Sequence, residues 1–334
     1  MAKQTDFGQR VAGCLVLVGL LSVLAACGGG GGGGGGGVTY TGLATDAPLS
    51  PSNAGVIGVT AYTGGSGNDT LGLIGMVSEP NETAGAGEGL WALKTARAIQ
   101  QALPTGALDP AGAAGVAAGA TASMSTALPA GTCGGTGSIS GSYNDATGVM
   151  NATVRFNAWC NEGVTISGSV TLVGQLDVTD PNNPVPVSFT LSFSSLTISD
   201  GSGSHTQSGT IVIDFTTTPE TITISSDFRA ADGKVYRVTN FTLTATTTAS
   251  GEDIVVTGQF CHPDYGCVTI STTAPLSVAT DDVYPTGGGI EVTGAAGSKA
   301  RLTANPDGTT FTLDVDVDGD GIYESNTTGS WATP

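Results

Sequence analysis

The chain predicts a mainly β protein: a large antiparallel meander, arranged as a sandwich, barrel or half-barrel, with one N-terminal amphipathic helix. Three observations carry that prediction. From about residue 132 onward apolar residues recur at every second position, and clusters of turn formers separate the runs. About a dozen such runs follow one another, more than one flat open sheet sustains without curling or splitting.

The alternation is explicit in the sequence. In "GVTISGSVTLVG" the residues Val164, Ile166, Val170 and Leu172 share one face, and Thr165, Ser167, Ser169 and Thr171 share the other. "VPVSFTLSF" repeats the pattern with Val187, Phe189, Leu191 and Phe193, and Ile211, Ile213 and Phe215, then Ile222 and Ile224, then Phe241, Leu243 and Ala245 follow. The turns "DGSGSH", "TTPE", "AADGK" and "ASGED" lie between them, so the strands read as hairpin-connected, with one buried face and one wet face of Ser and Thr.

Upstream the texture differs. Residues 38–130 are rich in Ala, Gly and Pro, and one segment, Glu88 to Leu103, has helical periodicity: Ala92, Leu93, Ala96, Ile99 and Leu103 gather on one side, Lys94, Arg97 and Gln101 on the other, and Pro104 ends it. The division is therefore a leader over 1–26, a tether over 27–37, an Ala/Gly-rich region over 38–130 with the helix 88–103, and a β-domain over 131–334.

The leader has Lys3 and Arg10 around its start and an apolar run from Val11 to Cys27, too short to span a bilayer as a helix and ending in small residues, as a cleaved signal does. Its last four residues, Leu24, Ala25, Ala26 and Cys27, resemble the lipobox of bacterial lipoproteins. That resemblance implies that Cys27 is acylated and becomes the new N-terminus. With Gly28 rather than Asp after it, the implied destination is the outer membrane. Ten glycines, Gly28 to Gly37, follow as a flexible leash; at about 5–6 Å × √n such a chain spans on the order of 15–20 Å.

Loss of the leader takes Lys3, Arg10 and Asp6 with it, so 10 basic and 28 acidic side chains become 8 and 27, a balance of −19. Such a domain is repelled by nucleic acid and by anionic lipid. The expected membrane contact is the lipid anchor. Four cysteines then remain, Cys133, Cys160, Cys261 and Cys267, an even number that suits two disulfides in an oxidising compartment. Of three connectivities, sequence proximity favours Cys133 with Cys160 and Cys261 with Cys267; His262 in "CHPDYGC" leaves a zinc shell incomplete.

The strongest chemical signal is "DVDVDGDGIYE", residues 314–324. The strand before it alternates, with Phe311, Leu313, Val315 and Val317 expected inward and Thr312, Asp314 and Asp316 outward. Asp at alternate positions followed by Gly points several carboxylates at one centre, as calcium, with six to eight oxygen ligands, requires. One register starts at Asp314; the preferred one uses Asp316, Asp318, Asp320, the Ile322 carbonyl and Glu324. It resembles the DxDxDG loops of EF-hands, dockerins and other extracellular calcium modules. Thr327 stands where an EF-hand has its bidentate Glu, and the flanks read as strands, so a weak structural site is expected rather than a sensor. The competing reading is a solvated acidic edge that discourages strand pairing.

Enzyme motifs are missing from the sequence: no G-x-S-x-G, H-E-x-x-H or S-x-x-K occurs, and His205 and His262 have no nucleophile motif beside them. The expectation is a non-enzymatic lipoprotein with a calcium-stabilised β-domain that binds a surface glycan or protein or serves as structure. The layout also resembles a loose group of β-rich bacterial lipoproteins that end in an Asp/Gly loop and a tryptophan, here Trp331. The rival is a periplasmic carrier of a lipid or other hydrophobic ligand in a half-barrel, by fold-level analogy.

Overall fold

The structure is a computed structural model that describes residues 37–63 and 121–331, apart from 145, 162, 179–184, 201–202, 220, 231–232, 280–281 and 283. The leader, Cys27, the tether before Gly37 and the helix expected over 88–103 lie outside the described residues.

Among the described residues fourteen antiparallel strands form one sheet in which spatial order is chain order. They are β1 (Thr121–Ala127), β2 (Gly134–Asn144), β3 (Val149–Asn161), β4 (Val164–Asp177), β5 (Val185–Asp200), β6 (Gly203–Asp214) and β7 (Thr221–Arg229). There follow β8 (Val235–Thr247), β9 (Gly251–His262), β10 (Gly266–Ala279), β11 (Gly287–Thr293), β12 (Lys299–Ala304), β13 (Thr310–Asp316) and β14 (Ser325–Ser330). The meander is as expected, and the sheet is not closed into a barrel. Its inner face is the predicted one: Ile166, Val170 and Leu172, then Leu191, Ile211, Ile224 and Phe241, are all buried.

A row of bulges crosses the sheet at one level. Register shifts occur between Gly134 and Thr136, Phe156 and Trp159, Ser167 and Thr171, Phe193 and Leu196, Ile224 and Ser226, and Thr239 and Thr242. Each bulge bends its strand and raises the twist, so this row, which β6 and β7 interrupt by pairing without a shift, creases the sheet. Two non-glycine residues on this row, Ala158 and Asn240, take left-handed backbone with φ of 47°.

Among the described residues one α-helix, α1 (Ala54–Thr63), sits against the inner face of β9, β10, β11 and β12. Its sequence, AGVIGVTAYT, is apolar nearly all round, as a helix enclosed by the protein should be. Gly58 lets it approach: a Cβ there would lie 2.5 Å from Leu302 Cδ1.

The segment leading to the helix is a strap across the outer face. Val38 donates its N–H to Ser208 Oγ at 2.8 Å, and Tyr40 donates its N–H to Asp227 Oδ2 at 2.8 Å. Arg237 grips the same Asp227 through Nε at 2.7 Å and Nη2 at 3.0 Å and stacks over the Tyr40 ring at 5.0 Å. Beneath Tyr40 lies the buried pair Cys261 and Cys267. The strap then crosses the rim: Ala47 N–H donates to Cys267 O at 2.8 Å, and Ala295 N–H donates to Ala47 O at 2.8 Å. Gly294 is required at that crossing, because a Cβ would come within 2.1 Å of Ala47 O.

Both cysteine pairs are joined as sequence proximity favoured, Cys133 with Cys160 and Cys261 with Cys267. The second pair links register partners on β9 and β10.

Candidate metal centre

The acidic loop begins where β13 ends. Phe311, Leu313 and Val315 face inward as expected, but two positions differ from the alternation: Asp316 is fully buried and Val317 is exposed. The reason is the end of the strand. Asp316 is the last residue of β13, paired with Lys299, and its carboxylate turns under the loop instead of standing on the wet face.

Buried there, Asp316 accepts two backbone hydrogen bonds, from Gly319 N–H to Oδ1 at 2.8 Å and from Gly321 N–H to Oδ2 at 2.9 Å. Both glycines have positive φ, 79° and 89°, which side-chain-bearing residues adopt only at a cost. Asp318 Oδ1 accepts from Asp320 N–H at 3.2 Å, and Asp320 Oδ1 from Ile322 N–H at 2.7 Å, so each short side chain fixes the turn ahead of it. Glu324 closes the base: its Oε2 accepts from Val317 N–H at 2.9 Å, and its own N–H donates to Val315 O at 3.0 Å.

The result is that one carboxylate oxygen each from Asp316, Asp318, Asp320 and Glu324 lie within 4.8 Å of one another. These are the four carboxylates of the register preferred from the sequence. Asp314 is elsewhere, accepting from Asn326 Nδ2 at 2.6 Å across β13 and β14. Thr327, within β14, pairs with Leu313. Four like charges at such separations repel, and a bound cation relieves that repulsion. The cluster can hold a metal ion, with hard oxygen ligands throughout.

A second group, absent from the sequence reading, ties the loop to the sheet. Tyr323 Oη donates to Glu291 Oε2 at 2.7 Å and accepts from Arg301 Nη2 at 2.7 Å, and the Arg301 guanidinium lies 4.5 Å over its ring. Lys299 Nζ donates to Glu291 Oε1 at 3.0 Å. Burial of Glu291 works to raise its carboxyl pKa, but the hydrogen bonds from Tyr323 and Lys299 and the charges of Lys299 and Arg301 outweigh it, and the net shift is downward. Burial, followed by the hydrogen bond to Glu291, pushes the Tyr323 phenol up to about 12. The available signal was Glu291 opposite a Lys-x-Arg pair, but it needed the β11–β12 register, in which Glu291 faces Arg301.

The two histidines stand apart from this centre. His205 is buried on β6, and His262 is buried at the end of β9, its Nδ1 accepting from Asp264 N–H at 3.1 Å and its ring 4.5 Å from that of Tyr265. Among the described residues no helix is long and apolar enough to cross a membrane. Comparison with family models, with curated proteins and with solved structures finds no match to the chain.

Proposed function

We propose that this chain is a non-enzymatic, lipid-anchored protein of the outer membrane whose β-domain binds a surface partner or serves as structure and takes calcium in the loop 316–324. The observation that carries the reading is the convergence of Asp316, Asp318, Asp320 and Glu324 on one point, with Asp316 buried and already oriented by two glycine N–H groups. Calcium is favoured over magnesium because four carboxylates converge here, and calcium takes six to eight oxygen ligands in a flexible geometry. Magnesium instead demands near-ideal octahedral geometry and keeps several waters. Three of the four carboxylates are exposed, and no bidentate Glu follows at Thr327, which supports a weak site of the extracellular kind. The lipobox-like residues ending in Cys27, the glycine leash and the paired cysteines support export and anchoring.

Native mass spectrometry of the mature chain, with and without a chelator, tests this reading. The expected spectrum carries a chelator-sensitive calcium adduct on an acylated mass with two disulfides. A metal-free mass after calcium-replete preparation would make the loop an acidic hairpin, and a co-purified lipid in the same spectrum would move the carrier reading ahead.

A further inference from the structure

The crease leaves a cleft on the wet face of the sheet. It lies where the register shifts between Gly134 and Thr136, Phe156 and Trp159, and Ser167 and Thr171 follow one another across β2, β3 and β4. Its volume of about 380 Å³ is that of a small-ligand site. Arg155 stands at the centre, with Ser138 opposite it on β2 and Ser169 opposite it on β4; in the next row Asn157 faces Thr136. All five are exposed. Between the rows Phe156 is buried, and Gly137 and Gly168 on either side of it have no side chain, so the floor of the cleft is backbone.

None of these five side chains has a hydrogen-bond or ion-pair partner among the described residues. Elsewhere the wet face pairs its polar groups: Thr197 meets Thr206 at 3.3 Å, Thr223 meets Thr242 at 3.2 Å, and Ser277 Oγ donates to Asp253 Oδ1 at 2.7 Å. Lys234, Arg237, Lys299 and Arg301 likewise pair with Asp264, Asp227 and Glu291. Arg155 thus keeps its guanidinium unpaired in a chain of net charge −18.

We propose that the cleft binds a saccharide bearing a carboxylate, a uronic acid unit of a surface glycan, with Arg155 on the carboxylate and Ser138, Ser169, Thr136 and Asn157 on the hydroxyls. One cation among hydroxyl and amide groups matches a ligand with one negative charge and many hydroxyls per unit, since guanidinium donates to carboxylate as a fork and the neighbours both donate and accept. A peptide adding itself as a strand is excluded here, because β2, β3 and β4 are each paired on both sides. An apolar ligand finds no exposed apolar side chain in the cleft, Phe156 being turned inward. This binding specifies the surface partner of the function proposed above and rests on that reading, but it needs neither the anchor nor calcium.

The test is a calorimetric titration of the mature chain, in chelator, with the trisaccharide of galacturonic acid. One site per chain is expected. Arg155→Gln, at an exposed position that the fold does not depend on, should weaken it at least about tenfold, and so should methyl esterification of the sugar, because each removes the charge-assisted pair. Arg229→Gln, which removes another exposed arginine without a carboxylate partner among the described residues, should leave it unchanged. Absence of binding, or equal binding by Arg155→Gln or by the ester, overturns the proposal. Displacement of the trisaccharide by an equal concentration of acetate does so as well, by making the cleft a bare anion site. Calcium is then titrated into the same protein freed of chelator: calcium bound by a chain that ignores the saccharide refutes the cleft alone, whereas a chain that binds neither refutes the calcium reading of the loop too.

Discussion

The Tyr323 hydroxyl donates a hydrogen bond to Glu291 Oε2 at 2.7 Å, and this contact fixes an otherwise exposed loop to the sheet between two of its candidate ligands, the Ile322 carbonyl and Glu324. Tyr323→Phe keeps the ring over Arg301 and removes only the hydroxyl. The hydroxyl makes two hydrogen bonds, to Glu291 and from Arg301, each worth about 1 kcal/mol net, so calcium affinity should fall at least about fivefold as the loop loses preorganisation. Calorimetric titration measures it, and an unchanged affinity would show that the loop orders itself.

Asp227 holds Arg237 and the Tyr40 N–H together. Asp227→Ala leaves a guanidinium and a backbone donor without their acceptor, at a cost of about 1–3 kcal/mol. Equilibrium urea unfolding should report that loss, and limited proteolysis should cut the strap between residues 38 and 50 faster in the variant.

Ala158 adopts φ of 47° in the crease, where an alanine Cβ crowds the backbone. Ala158→Gly should therefore raise stability by about 0.5–1 kcal/mol, the relief of that crowding less the entropy glycine loses on folding, and Ala158→Val should lower it. Thermal unfolding of the two variants checks the sign in each direction.

Asp307 caps the β12–β13 turn, accepting from Thr309 N–H at 2.8 Å, Thr310 N–H at 2.8 Å and the Thr310 hydroxyl at 2.6 Å. The hydrogen bonds, that from the Thr310 hydroxyl foremost, depress its pKa from 3.8 to about 2. A carboxylate with a depressed folded-state pKa stabilises fully above the unfolded value and loses that contribution as pH falls through the folded one. The Tm advantage of the native chain over Asp307→Asn should thus shrink between about pH 4 and about pH 2, and a difference constant over that window would contradict the assignment.

What the sequence disclosed follows its periodicities. Period two at Val170 and Leu172, or at Phe241 and Leu243, is enough to orient a strand, because burial of one face is what selects those residues. The same rule misplaced Asp316 and Val317, since it continues past the point where β13 stops. Helix α1 escaped notice for the opposite reason: AGVIGVTAYT is enclosed by protein, so it has no polar face and no helical period to detect. The crease was hidden because a bulge such as that beside Ala158 is a relation between two strands, and the partnership of Tyr323, Glu291 and Arg301 was hidden because it depends on register and on the return of a loop. The preferred ligand register needed neither, since alternate Asp residues followed by Gly319 and Gly321 constrain the loop locally.

The most direct measurement is a calorimetric titration of calcium into the mature chain and into Asp316→Asn. The account predicts one site per chain with a dissociation constant on the order of 10⁻⁴–10⁻³ M, as in extracellular calcium modules, and loss of measurable binding in the variant. Absence of binding to the native chain, or equal binding to Asp316→Asn, would contradict it.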